Sequence, residues 1–271
     1  MKSKNIFTKA FIVCLFVTLA WAGDIQVIAH RGFSGAAPEN TMAAFEAAAD
    51  LGVGFELDVI LCATGEVVIS HDKNVDRTTD GEGMIGDLSL AELKSLDAGS
   101  WYGEAFTGET IPTLREVLER FGGVVPIDIE IKNCKPIEPL VDAVVAEVER
   151  ADMVDQVFVT SFNPYMLARV REQNPAIRRG MLTGTFKDED LSLIEKVILR
   201  RLWLRGKVAP VSFVEERVRI RKHKVKRWQR HGYEVLTWTV NDEAEMRRMI
   251  DIGVDGIITN HPDVLLRLLS E

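Results

Sequence analysis

Titratable side chains interrupt or directly follow four apolar runs of this chain, at places where β-strands would be expected. The residues concerned are His30 and Arg31 after the run 25–29, Glu56 and Asp58 within 55–59, His71 after 67–70, and Glu130 and Lys132 within and after 127–131. A buried ion without a partner costs several kcal/mol of folding free energy. Titratable residues within or directly after predicted strands are therefore expected to serve a function, and a metal-dependent acid/base site would explain them.

Three of these residues are carboxylates whose spacing predicts a common cation site. Residues two apart on a strand point to the same face, so Glu56 and Asp58 lie on one side of theirs. Glu130 stands near the end of the next strand, at the same level. Three carboxylates suit one divalent cation, Mg²⁺ or Ca²⁺, with water or substrate completing the shell. The alternative is a set of salt bridges inside the fold.

Two histidines accompany the carboxylates. His30 ends the first run and His71 follows the third. An unperturbed imidazole has a pKa near 6.5, so one histidine can serve as a general base and the other as a general acid. Arg31 and Lys132 add positive charge where an anionic phosphate would lie.

The elements that must position these residues alternate between β-type runs and helical patterns. Strands are predicted near 25–30, 54–60, 124–131, 156–161, 178–183, 208–213, 234–240 and 255–259, and helices over 41–49, 114–121 and 137–148, the first of them capped by Asn40 or Thr41. Eight strands that alternate with helices over roughly 250 residues favour an α/β fold, a TIM-type (β/α)8 barrel. The alternative is a doubly wound open sheet, but no Gly-x-Gly-x-x-Gly turn follows the first strand.

The stretch 59–71 departs from this alternation. Residues 63–66, Ala-Thr-Gly-Glu, form a turn between two extended runs and leave no room for a helix. We therefore predict a small hairpin insertion after strand two. Such a hairpin would return His71 to the barrel mouth, above Glu56 and Asp58.

The first 22 residues read as a unit of their own. Three lysines precede an apolar stretch at 10–17, and a pattern of small residues ends at Ala22. This pattern is typical of a secretory signal peptide, and the stretch is shorter than the roughly 20 residues that a spanning helix needs. We expect 1–22 to be cleaved, 23–271 to form one barrel domain, and the protein to be secreted or periplasmic. An uncleaved peripheral membrane anchor is the alternative.

Charge is distributed unevenly along the chain. The net charge is −8, and it becomes −11 without the three lysines of 1–22. This acidic balance argues against nucleic acid as a partner. The segment 191–230, however, contains 13 Lys and Arg against three Glu. Two interpretations stay open: ordinary barrel helices with solvated charged faces, or a patch that makes peripheral contact with an anionic membrane.

Two cysteines remain beyond the N-terminal segment. Cys62 follows strand two and Cys134 follows strand three. If those strands are neighbours, a disulfide between the two is one alternative, and two unpaired small hydrophobic residues are the other.

Nine short motifs, taken in their order and spacing, resemble those of the glycerophosphodiester phosphodiesterase family. They are His30-Arg31-Gly32, Pro38-Glu39-Asn40-Thr41, Glu56-Leu57-Asp58, Ser70-His71-Asp72, Ile111-Pro112-Thr113-Leu114, Ile129-Glu130-Ile131-Lys132, Ser161-Phe162-Asn163, Trp238-Thr239-Val240-Asn241 and Asp255-Gly256-Ile257-Ile258-Thr259-Asn260. Singly most of them are weak signals, but together they span most of the chain. The resemblance implies a TIM-type barrel that hydrolyses a phosphodiester next to a glycerol hydroxyl.

The resemblance also implies a role for each site residue. These roles are acid/base catalysis for His30 and His71, metal ligation for Glu56, Asp58 and Glu130, phosphate binding for Arg31 and Lys132, pocket lining for Phe162 and Trp238, and a supporting position for Glu39. The expected reaction converts a small-molecule glycerophosphodiester to glycerol 3-phosphate and an alcohol. Which histidine acts first as the base stays open.

Two further functions compete with this one. The first is a lysophospholipase D-type enzyme that acts on lysophospholipids at a membrane surface. The second is a non-catalytic barrel that binds a ligand. The presence of both histidines and all three carboxylates argues against the second, and a metal-dependent assay on glycerophosphocholine separates it from the enzymes.

Overall fold

The computed structural model describes residues 25–185 and 204–271. Its strands are β1 Gln26–Ala29, β2 Gly54–Leu61, β3 Val67–Ile69, β4 Ile127–Ile131, β5 Val157–Ser161, β6 Arg178–Thr183, β7 Ser212–Glu216, β8 Glu234–Trp238 and β9 Gly256–Thr259. All except β3 pair in parallel, in the order β1-β9-β8-β7-β6-β5-β4-β2, and β2 pairs back to β1. The sheet therefore closes into an eight-stranded barrel, as the sequence predicts.

Helices connect most of these strands. They are α1 Met42–Asp50, α2 Leu90–Lys94, α3 Leu114–Phe121, α4 Glu138–Arg150, α5 Pro164–Gln173, α6 Arg205–Val208, α7 Lys222–Gln229, α8 Glu243–Ile252 and α9 Pro262–Leu269. The three helices predicted from periodicity all form. Thr41 rather than Asn40 caps α1, because its hydroxyl accepts a hydrogen bond from the backbone N–H of Ala44.

One predicted strand is displaced along the chain. The sequence predicts a strand at 208–213, whereas β7 covers 212–216 and Val208 ends the short helix α6. Pro210 has no backbone N–H to donate to a strand ladder, so the strand begins only after it. The apolar residue Val208 suggested a buried strand, but it is buried in the core as a helical residue.

The hairpin insertion is present. β3 runs antiparallel to β2, with Val59 opposite Ile69, and the backbone N–H of Ser70 donates to the carbonyl of Asp58 at 3.0 Å. His71 thus returns to the level of Asp58. The chain from 70 to 113 continues as a small layer with its own apolar cluster, which includes Val75, Ile85 and Leu93.

The barrel interior is divided into an apolar side and an acidic side. Its apolar cluster consists of Ile28, Phe158, Leu182, Val214, Leu236 and Ile258. On the other side β2 and β4 pair in register, Glu56 beside Asp128 and Asp58 beside Glu130. Leu57 and Ile129, which alternate with these carboxylates, face outward and belong to the core beneath the helices.

Three further sequence expectations concern the two cysteines, the basic segment and the N-terminus. Cys62 and Cys134 are both free, so the disulfide alternative is wrong for this structure.

The part of the basic segment at 191–203 lies outside the described residues, while the rest of that segment includes β7 and α7. The proposed signal peptide also lies outside them. Among the residues that are described, no helix has the length and apolarity to cross a bilayer.

Candidate active site

Three carboxylates converge at the carboxyl-terminal mouth of the barrel. Oxygens of Glu56, Asp58 and Glu130 lie within 4.8 Å of one another. Glu56 is 4% exposed and Asp58 only 1%. β2 supplies the first two because a strand turns every second residue to the same face, and its register with β4 brings Glu130 beside Asp58.

The ionisation of these carboxylates shows that the donor set fits a divalent cation. Burial, together with Asp58 and Glu130, raises the pKa of Glu56 well above its usual range. Burial likewise raises the pKa of Glu130, against the opposing effect of Lys132. Full ionisation of all three groups is therefore unfavourable unless positive charge is added among them. A hard divalent cation held by carboxylate oxygens would add that charge.

Asp58 is the carboxylate that the protein itself keeps ionised. Burial alone would raise its pKa, but Lys132 and Arg31 hold the pKa of Asp58 below its usual range. Lys132 Nζ donates to Asp58 Oδ1 at 3.2 Å and to Glu130 Oε1 at 2.8 Å, and Arg31 Nε lies 3.3 Å from Asp58 Oδ2. Asn40 donates to the same Oδ2 at 2.9 Å. This role of Asn40 was not predicted from the sequence, although Asn40 stands in the motif Pro38-Glu39-Asn40-Thr41.

A tight turn after β1 directs the first histidine into the mouth. Arg31 and Gly32 both have positive φ, 56° and 75°. The backbone N–H of Arg31 donates to Glu56 Oε2 at 2.9 Å. A Cβ on Gly32 would lie 2.6 Å from the backbone carbon of Ala44, so only glycine allows this close approach to α1.

His30 is held by a neutral amide. Its Nδ1 donates to Asn260 Oδ1 at 2.7 Å, which leaves Nε2 as the basic nitrogen of the ring. Asn260 is itself placed by Asn241, whose side-chain oxygen accepts the Asn260 backbone N–H at 2.9 Å. Burial, assisted by the adjacent Arg31, lowers the pKa of His30 to about 4. The ring is therefore neutral near pH 7.

His71 is held by a carboxylate. Its Nδ1 lies 2.7 Å from Asp72 Oδ1, and Asp72 Oδ2 accepts from Arg77 Nε at 2.6 Å. Arg77 also donates twice to Glu39, at 2.9 and 2.7 Å, and Glu39 accepts from Arg31 at 2.9 Å. This chain of ion pairs ties the insertion to the loop after β1 and shows what Glu39 supports. The roles of Asp72 and Arg77 were not predicted from the sequence: Asp72 stands in the motif Ser70-His71-Asp72, but Arg77 lies outside all nine motifs.

Aromatic side chains line the opposite wall of the mouth. Phe162 follows β5 and Trp238 ends β8, and their rings meet edge to face with centroids 5.4 Å apart. Trp238 Nε1 donates to the carbonyl of Thr183 at 3.3 Å. The structure thus brings all the predicted site residues to one end of the barrel: an acidic and basic side over β1, β2 and β4, and an aromatic side over β5 and β8.

Comparison with known proteins shows which protein family has a similar sequence. The model of the glycerophosphoryl diester phosphodiesterase family matches residues 30–264. A glycerophosphodiester phosphodiesterase of Caldanaerobacter subterraneus is 39% identical over 248 residues, which are 90% of this chain and 98% of that protein. One of Bacillus altitudinis is 33% identical over 91% of this chain and 98% of that protein.

Solved structures agree with the barrel. A phosphodiesterase of Oleispira antarctica, in complex with its product sn-glycerol-3-phosphate, superposes with a TM-score of 0.80 at 32% identity, covering 91% of this chain and 97% of that one. A glycerophosphodiester phosphodiesterase of Agrobacterium tumefaciens gives a TM-score of 0.74 at 29% identity, over 90% and 100% of the two chains.

Proposed function

The chain belongs to the glycerophosphodiester phosphodiesterase family and is a phosphoric diester hydrolase, and we propose that it works with one divalent cation and two histidines of opposite role. Glu56, Asp58 and Glu130 would hold the cation, Mg²⁺ or Ca²⁺. When bound, the cation withdraws charge from the phosphate oxygens. Arg31 and Lys132 flank the same position and would hold the phosphate. The product bound in the Oleispira antarctica relative supports glycerol 3-phosphate as the product here.

The observation that carries the mechanism is the unequal support of the two histidines. His30 is neutral, with Nε2 available to accept a proton, because Asn260 holds Nδ1. His71 instead has the carboxylate of Asp72 on its Nδ1, a charge-assisted partner for a ring that donates a proton from Nε2. We therefore assign His30 as the first general base and His71 as the first general acid.

The reaction then follows from these two positions. His30 Nε2 removes the proton of the glycerol 2-hydroxyl, and that oxygen attacks phosphorus. His71 protonates the leaving alcohol as its bond to phosphorus breaks, and a five-membered cyclic phosphate forms. Water opens the ring with the roles exchanged: His71 takes the proton of the water and His30 returns one to the glycerol oxygen. Hydrolysis of glycerophosphocholine, measured as release of glycerol 3-phosphate, tests the function directly.

Asp72 should matter because it orients His71. Asp72→Asn keeps the shape of the side chain but removes the charged acceptor, and we expect kcat to fall about 10- to 100-fold, the usual worth of a hydrogen bond to a charged group. Asp76→Asn is the matched control. Asp76 lies in the same insertion and accepts from Gly83 and Asn74 rather than from a histidine. Equal kcat values in the two variants would remove Asp72 from the mechanism.

Peripheral contact with an anionic membrane is a second proposal, and the exposed basic face of α7 supports it. Lys222, Lys226 and Arg227 are exposed, whereas Lys224 pairs with the buried Glu215 and is no part of the patch. Each basic residue near an anionic surface contributes about 1 kcal/mol before screening. A lysophospholipase D-type activity at such a surface is the alternative function, which assays on lysophosphatidylcholine and glycerophosphocholine in parallel would separate.

The membrane proposal predicts salt-sensitive binding to vesicles. At low salt, Lys226→Glu with Arg227→Glu should weaken sedimentation with phosphatidylserine vesicles at least about tenfold and leave turnover of glycerophosphocholine unchanged. Arg120→Glu with Arg150→Glu, on α3 and α4, makes the same change of net charge elsewhere. An equal loss in both double variants, or no binding by the unmodified protein, would contradict the proposal.

Export is proposed from the sequence alone. A cleaved signal peptide at 1–22 would make the protein secreted or periplasmic, and an uncleaved segment would hold it at a membrane. Sequencing the N-terminus of the exported protein distinguishes these two forms.

A further inference from the structure

The aromatic wall of the mouth carries an acidic side chain that the proposed mechanism does not use. Glu216 ends β7, in register with Trp238 on β8. Val214 and Leu236, two residues earlier on each strand, belong to the apolar cluster inside the barrel. Because side chains alternate along a strand, Glu216 also faces the interior. It is a carboxylate directed into the substrate mouth.

Closure of the barrel sets Glu216 across from the carboxylates of β2. β7 is four strands from β2 in either direction round the barrel. Eight strands about 4.8 Å apart and tilted about 36° enclose a circle roughly 15 Å across. Glu216 therefore lies where the far end of a glycerol moiety would reach.

The surroundings of Glu216 leave it able to accept a further hydrogen bond. Oε2 accepts the backbone N–H of Thr185 at 2.6 Å. Within 25–185 and 204–271 no ion pair involves Glu216. Arg219 and Lys224 pair instead with Glu215, on the outer face of the same strand. Gly184 lies against the site: a Cβ there would stand 3.1 Å from Oε2 and 3.2 Å from the Trp238 ring. Any larger residue would crowd the carboxylate and the indole.

We propose that Glu216 accepts a hydrogen bond from the terminal hydroxyl of the glycerol moiety and so selects fully deacylated glycerophosphodiesters. The inference rests on the proposed function. Glycerol is the part common to all such substrates, which suits the aromatic wall of the mouth, where Glu216 and Trp238 are only partly exposed. The head group varies, which suits the side of His71, whose side chain is 34% exposed. An acceptor that is placed for a hydroxyl disfavours an analogue that lacks it, because the acceptor is then left without that partner.

The proposal has a direct consequence for lysophospholipids. In a 1-acyl lysophospholipid the terminal hydroxyl is an ester, so it has no proton to donate. Its acyl chain would start at the wall formed by Glu216, Gly184 and Trp238. The unmodified enzyme should therefore discriminate against lysophosphatidylcholine even though the attacking 2-hydroxyl is present.

The test compares two substrates that differ by one hydroxyl. Glycerophosphocholine has the terminal hydroxyl, and 2-hydroxypropyl phosphocholine keeps the attacking hydroxyl but lacks the terminal one. The unmodified enzyme should favour the first by about 10- to 100-fold in kcat/KM. Glu216→Leu should bring this ratio close to one, and Glu216→Gln, a weaker acceptor, should give an intermediate ratio. The ratio does not depend on how much of each preparation is folded.

Glu215→Gln is the matched control, since it removes a carboxylate one residue away that faces outward. Its substrate ratio should equal that of the unmodified enzyme. A ratio near one in the unmodified enzyme, or an undiminished ratio in Glu216→Leu and Glu216→Gln, would overturn the role of Glu216 while the phosphodiesterase function stands. If the unmodified enzyme hydrolyses neither compound, the proposed function itself is wrong and the role of Glu216 falls with it.

Discussion

Glu56→Gln should lose nearly all hydrolysis of glycerophosphocholine at any concentration of Mg²⁺ or Ca²⁺. The substitution removes one ligand charge from the carboxylate trio and keeps the shape of the side chain. A bound cation contributes several kcal/mol to stabilisation of the transition state, so turnover should fall by about 10³-fold or more. EDTA should have the same effect on the unmodified enzyme, and added Mg²⁺ or Ca²⁺ should restore its activity.

Thermal unfolding separates loss of the cation from loss of the fold. The pKa of Glu56 is raised by burial and by its acidic neighbours, so without a cation its negative charge is unfavourable in the fold, and a neutral glutamine replaces it at little cost. The unfolding temperature in EDTA should therefore hardly change. A cation at 100 times its Kd stabilises a protein by about 2.7 kcal/mol, and this gain should be absent in Glu56→Gln.

Asp128→Asn is a matched control for this substitution. Asp128 is the register partner of Glu56, is equally buried, and accepts a hydrogen bond from Thr160 at 2.8 Å. It is not one of the three carboxylates that converge. The Asp128→Asn enzyme should keep its stabilisation by the cation. Full activity of Glu56→Gln in EDTA, or a cation effect lost equally in both variants, would end the assignment of the metal site.

His30→Ala and His71→Ala should each lower turnover by about 10² to 10⁴, the usual contribution of a positioned acid or base. If the two rings act as one relay, removing both should be little worse than removing either, since groups that work as a unit are strongly non-additive. Single-turnover assays on glycerophosphocholine with the cation present measure this chemical step. Turnover near that of the unmodified enzyme in either single variant would exclude that histidine from the mechanism.

The choice of leaving group distinguishes the two histidines. His71, as the first acid, matters most for a poor leaving alcohol such as choline, which must be protonated as it departs. In a glycerophosphodiester of p-nitrophenol the leaving group is p-nitrophenolate, which departs without being protonated. His71→Ala should therefore recover much of its lost rate on the p-nitrophenyl substrate, whereas His30→Ala should not. Recovery in His30→Ala instead would reverse the assignment of base and acid.

The reaction class and most of the architecture can be predicted from the amino-acid sequence. Side chains alternate between the two faces of a strand, so a spacing of two residues is enough to put Glu56 and Asp58 on one face. Alternating strand and helix patterns identify the barrel, and the short turn at 63–66 identifies the hairpin. The prediction from local pattern was wrong at the start of β7. The apolar Val208 suggested that the strand begins there, but the strand begins only after Pro210.

The contacts that support each site residue could not be predicted from the sequence, because they join distant parts of the chain. Asn260 holds His30 across 230 positions of the chain, and Arg77 reaches Glu39 across 38. These contacts depend on where closure of the barrel brings separate loops. The position of Glu216 opposite β2 likewise follows from the order of eight strands round a ring. Periodicity within one segment shows which face a side chain occupies, but which group faces it is set by long-range packing, and that packing also sets burial and hence the pKa of His30.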